Sequence, residues 1–112
     1  MSDILKPVVA QLAAYNNRDI EKFIVNFSVD CVVEDGEGNV LMVGRSAMYE
    51  SYKKMFAVSP DLHCRLASRV VVGQYVLDEE RVTGRNGIDG EGHVVAVYRI
   101  ENEEIVHVRF LR

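Results

Sequence analysis

Carboxylates, phenols and imidazoles are the groups in this sequence whose type and placement could move a proton. Asp35 ends the β-branched run Val29-Asp30-Cys31-Val32-Val33-Glu34-Asp35, directly before the turn-forming Gly36-Glu37-Gly38-Asn39. A carboxylate at such a place either caps the turn or, if partly buried, serves as a base near neutral pH. Tyr15 and Tyr52 stand on apolar helix faces. There a phenol either fills the core or lines a pocket and offers its hydroxyl to a ligand. His63 and His107 alternate with apolar neighbours and His93 sits at a loop edge, so the first two belong to the less buried face of a sheet. No pair of them has ligand spacing, and no metal centre or cofactor is expected. Cys31 and Cys64 lie inside apolar runs without metal spacing and read as buried free thiols.

The segment Leu77-Asp78-Glu79-Glu80-Arg81-Val82-Thr83 places charge on both sides of an extended chain. Alternation groups Leu77, Glu79, Arg81 and Thr83 on one face and Val76, Asp78, Glu80 and Val82 on the other. A solvated strand, or an ion-pair ladder with Arg99 or Arg109, accounts for such a pattern without a site. The following loop carries Asp89 and Glu91 but lacks the acidic spacing of a calcium loop.

These residues need elements to hold them. Ile4, Leu5, Val8, Val9, Leu12 and Tyr15 recur at spacings of three and four, which predicts a first helix ended by Asn16-Asn17. Asp19 is placed as an N-cap, and Ile20, Phe23, Ile24 and Phe27 predict a second short helix. An extended segment over 29 to 35, a turn, and the short strand VLMV follow. Helical spacing returns from about Arg45 to Phe56 and stops at Ser59-Pro60-Asp61. Residues 62 to 72, 75 to 84, 93 to 101 and 104 to 111 then read as an antiparallel meander. Helices grouped against one curved sheet make an α+β layout.

The 112 residues suffice for one hydrophobic core, so a single domain over 1–112 is expected. No apolar stretch of about 18 residues and no basic leader are present, which reads as a cytoplasmic chain with no membrane partner. A formal charge of −4 without a Lys/Arg-rich run excludes nucleic acid from the expected partners.

The order of elements and the run YNNRDIEKFIVNFSVDCVVEDGEGN closely resemble bacterial ketosteroid isomerases and SnoaL-like polyketide cyclases, of the nuclear transport factor 2-like superfamily. The resemblance extends from Val8 to about Ile100. It implies a cystatin-like cone: a curved mixed or antiparallel sheet with three helices covering a pocket. The acid closing the first strand is the proton-moving base in those isomerases, and it matches Asp35. Their two oxyanion donors fall on Gln11 and Ala96, so efficient steroid isomerisation is not expected, since losing one such donor costs roughly 100- to 1,000-fold. Tyr15, one turn after Gln11, and Tyr52, which matches a supporting tyrosine, are the implied substitutes. The implied lining adds Phe27, Met48, Phe56, Tyr98, Val108 and Phe110. Registration against the isomerases also turns Glu79 and Arg81 inward, unless a bulge exchanges the faces.

The sequence therefore supports a pocket for a small apolar or mixed-polarity molecule, acting as an isomerase- or cyclase-like enzyme or as a non-catalytic binder. A homodimer is the further expectation, with Val70, Val71, Val72, Val95 and Val97 supplying apolar surface on the convex face.

Overall fold

Pro7 enters a helix within its first turn, where its missing N–H has no helical partner to lose, and helix α1 (Lys6–Asn16) buries Val8, Gln11 and Ala14 on one face. The computed structural model describes residues 3–112. The Asp19 carboxylate accepts from the Lys22 backbone N–H and so caps helix α2 (Ile20–Ile24). This helix is shorter than its apolar spacing predicts. The Asn26 side chain donates to the carbonyls of Lys22 and Phe23 at 2.9 and 3.2 Å, and its own carbonyl accepts from Ile105. Phe27 is thereby drawn into a sheet instead of a third helical turn.

The sheet comprises β1 (Phe27–Asp35), β2 (Val40–Val43), β3 (His63–Val72), β4 (Tyr75–Thr83), β5 (Glu91–Glu101) and β6 (Glu104–Leu111). Helix α3 (Arg45–Ala57) lies between β2 and β3, and a 3-10 turn (Arg85–Gly87) between β4 and β5. The spatial order is β2-β1-β6-β5-β4-β3. β3 to β6 form the expected antiparallel meander, and β1 pairs with β6 in parallel, so the sheet is mixed.

The three helices cover one face of the sheet, and Phe23 sits at the centre of the contact. Its ring lies 4.7 Å from Tyr52, 4.9 Å from Phe27 and 5.6 Å from Phe56. Aromatic rings at such separations add to burial through edge-to-face electrostatics. Cys31 and Cys64 are both buried and free. Gly84 has φ +74°, and a Cβ there would meet the Asp61 carbonyl oxygen at 2.4 Å, so the chain reverses after β4 only with glycine. The Asn86 backbone N–H then donates to Ser59 Oγ at 2.7 Å, tying the 3-10 turn to the end of α3.

Candidate functional site

Partners directly opposite on neighbouring strands share a face, and that rule orients β4. Val76, Asp78, Glu80 and Val82 face Tyr98, Ala96, Val94 and Gly92 of β5. Tyr98, Ala96 and Val94 are buried toward the helices, so Asp78 and Glu80 are carried inward with them. Glu79 and Arg81 therefore point the other way, contrary to the registration against the isomerases. They are spent on the outer face, where Glu79 meets His93 Nε2 at 2.7 Å and Ser68 Oγ at 2.9 Å, and Arg81 meets Glu91 at 3.9 Å. A cross-strand ladder is present, with these partners in place of Arg99 and Arg109.

Between the concave face and the helices lies a cavity of about 470 Å³. Gln11, Tyr15 and Tyr52 line it from the helices, and Phe27, Tyr98, Val108 and Phe110 from the sheet. Sequence reasoning placed all seven there. Met48, Phe56 and Ala96, expected beside them, are instead packed inside the core and do not reach the cavity. Cys64, Glu80, Arg85 and Arg112 line it without having been anticipated.

Asp35 does not face this cavity. It shares the inward parity of Cys31 and Val33, but it stands at the strand end, and its carboxylate closes the turn. Oδ1 accepts from the backbone N–H groups of Glu37 and Asn39, and Oδ2 from the Asn39 side chain, each at 2.9 Å. The Asn39 side chain and these backbone donors hold the carboxyl below its ordinary pKa, which makes it a weaker base. Glu34 takes the opposite face as expected and pairs there with His107 and Arg109.

The carboxyl that does enter the cavity is Glu80, 6% exposed. Burial raises its pKa from 4.5 to about 7, reinforced by the negative Asp78 two residues away. The Cys64 thiol, hydrogen-bonded to Glu80, and Arg69 act against this rise without cancelling it. Arg69 is committed to Asp78: Nε and Nη2 grip its two carboxylate oxygens at 2.7 and 3.0 Å, while Asp78 is fully buried. Glu80 is thus left half-ionised near neutrality beside a closed ion pair.

The phenols around it are kept protonated. Burial pushes Tyr52 up to about 12 and raises Tyr15 and Tyr98 as well. Such hydroxyls donate hydrogen bonds at neutral pH and do not act as bases. The Tyr98 Oη accepts from Gln11 Nε2 at 3.2 Å, and no hydrogen bond among the described residues holds the Tyr15 or Tyr52 hydroxyl. No group of three or more potential ligands fit for a metal ion occurs among the described residues. No helix among them is long and apolar enough to cross a membrane.

Comparison with known proteins agrees with this geometry. An uncharacterised cystatin-fold protein from Novosphingobium aromaticivorans superposes with a TM-score of 0.90 at 28% identity, covering 100% of both chains. A putative polyketide cyclase from Sinorhizobium meliloti superposes at 0.79 with 21% identity, over 98% of this chain and 94% of the other. An LEH-like epoxide hydrolase from M. tuberculosis gives 0.79 at 17% identity, over 96% and 80%. No curated protein sequence matches the chain. The SnoaL-like domain pattern matches residues 8–108, from the first turn of α1 into β6. The chain therefore belongs to the SnoaL-like domain family, within the nuclear transport factor 2-like fold.

Proposed function

We propose that this domain encloses a small, largely apolar carbonyl compound and that Glu80 moves a proton on it as general acid and base. The observation carrying this reading is a nearly dry carboxyl in the cavity wall with a pKa of about 7, where it both takes and returns a proton at neutral pH. Tyr15 and Tyr52 are assigned the hydrogen bonds to the carbonyl oxygen, since their hydroxyls are protonated and free of partners among the described residues. The Asp35 role implied by resemblance passes to Glu80, because the Asp35 carboxylate is committed to its turn. A cyclase and an epoxide hydrolase among the structurally similar proteins are in keeping with a pocket for a small organic molecule.

The test is deuterium exchange at the acidic carbon of a bicyclic ketone such as 2-tetralone, followed by NMR. The native protein and Asp35→Asn are expected to accelerate exchange alike, and Glu80→Gln to lose roughly 100-fold or more of the acceleration. Equal rates for native protein and Glu80→Gln reject the assignment. If no variant and no native protein accelerates exchange while the ketone still binds, the domain is a binder without this chemistry.

Dimerisation is proposed alongside, on the support of Val70, Val71 and Val72, which are exposed at the end of edge strand β3. The protein is expected to sediment as a dimer at micromolar concentration. A monomer there removes the proposal.

A further inference from the structure

We propose that the ligand of this cavity is an amphipathic organic carboxylate, received at the mouth by the Arg85 and Arg112 guanidiniums while its apolar body lies against the aromatic wall. This rests on the cavity being the ligand site, as proposed above.

Two cations reach the cavity from separate elements. Arg85 is the first residue of the 3-10 turn, whose position is fixed by glycine at 84 and by the Asn86 to Ser59 bond. Arg112 follows Val108 and Phe110 at alternate positions and continues their inward face past the end of β6. Its guanidinium lies 5.3 Å from the centre of the Phe110 ring, a contact that keeps the charge at the mouth.

Neither guanidinium takes part in an ion pair among the described residues. Their neighbours on the rim are largely engaged. Glu91 is paired with Arg81 and His93 with Glu79, which leaves Asp89 as the one rim carboxylate outside an ion pair among the described residues. The mouth therefore carries two guanidiniums outside any ion pair among the described residues, on a chain whose net charge is −4.

The two cations do not serve Glu80. Arg85 acts on the Tyr15 and Tyr52 hydroxyls and Arg112 on Tyr52, whereas the cation acting on Glu80 is Arg69, already closed on Asp78. An anionic group placed between Arg85 and Arg112 would find forked guanidinium donors suited to a carboxylate, leaving the two phenols to the carbonyl oxygen. Apart from Glu80 and a few uncharged polar groups, Phe23, Phe27, Met55, Val82, Val94 and Val108 give a ligand body an apolar wall. The cavity of about 470 Å³ falls in the usual range for small-ligand sites, about 300–1,000 Å³.

2-Naphthoate and its neutral counterpart 2-naphthamide test this by isothermal titration calorimetry. The variants are Arg85→Gln, Arg112→Gln, their double variant and Glu80→Gln, each at pH 6 and pH 8. Arg85 and Arg112 are exposed, and circular dichroism checks that the variants keep the fold. The native protein is expected to favour naphthoate over naphthamide by roughly tenfold at pH 6, and the double variant to lose that preference. Equal affinities for the two probes, or a preference that survives the double variant, overturns the carboxylate assignment while leaving the pocket standing. Failure of both probes to bind overturns the pocket and the inference together. The Glu80 reading is separated by pH. Naphthoate should bind more weakly at pH 8 than at pH 6 in native protein, through repulsion by ionised Glu80, and equally at both in Glu80→Gln; a pH-independent native affinity counts against Glu80 alone.

Discussion

Glu80→Gln is expected to yield a protein that is more stable than the native one above neutral pH and lacks the proposed proton transfer. The carboxyl has a pKa of about 7 in the folded chain against 4.5 in an unhindered one, so the unfolded state gives up its proton first. Stability from this group is complete below about 4.5 and is lost as pH rises through about 7. The loss is on the order of 3 kcal/mol, at roughly 1.4 kcal/mol per pH unit. Glutamine keeps the size and an acceptor for the Cys64 thiol but has no charge to bury. Urea unfolding at pH 4, 6 and 8 should show the variant's advantage over the native protein growing across the series, the two meeting near pH 4. A difference that does not change with pH would show that Glu80 ionises freely in the fold. A residue whose removal stabilises the protein while abolishing turnover marks a cost retained for function.

The second large effect belongs to the ion pair behind Glu80. Arg69→Met leaves the fully buried Asp78 without its two guanidinium bonds, and breaking a buried pair from one side costs about 3–5 kcal/mol. That is a large share of the roughly 5–15 kcal/mol that holds a domain together. Removing both charges together, as Arg69→Met with Asp78→Leu, is expected to recover most of the loss, since the desolvation cost leaves with the pair. Denaturant unfolding of the two variants measures this. An Arg69→Met variant within about 0.5 kcal/mol of native would mean that water already solvates Asp78 and that the wall around Glu80 is not dry.

The elements themselves were legible. Apolar spacing located α1 and α3, and alternation located β3 to β6 to within two residues at each end. The end of α2 was misread because Phe27 continues the helical spacing of Ile20, Phe23 and Ile24. What stops the helix is a side-chain competition by Asn26 and a long-range bond to Ile105, neither visible in a local pattern. The site was legible in part. Tyr15 and Tyr52 sit on apolar helix faces, so spacing turned them toward the sheet, while Gln11 was placed by the resemblance alone.

Asp35 shows where the resemblance misled. The parity of β1 was read correctly, yet three donors from Glu37 and Asn39 turn the carboxylate back on its own turn. Asn39 was in view as part of the turn run, and an acid followed four residues later by Asn was a signal for that capping.

By itself the sequence determined the elements and their α+β grouping, because periodicity of 3.6 and of 2 is a local property of the chain, while the hollow faced by helical phenols was implied by the resemblance to the isomerases and cyclases. The tertiary structure alone decided which carboxyl enters the hollow. In β4 each face carries apolar and charged residues, Leu77 and Thr83 beside Glu79 and Arg81, Val76 and Val82 beside Asp78 and Glu80, so local burial energy favours neither. Pairing with β5 breaks the tie: Tyr98, Ala96 and Val94 must be buried, and their partners Val76, Asp78 and Glu80 are buried with them. The cost of taking Asp78 out of water is then met by Arg69 directly across on β3, a contact whose existence depends on the strands having already paired.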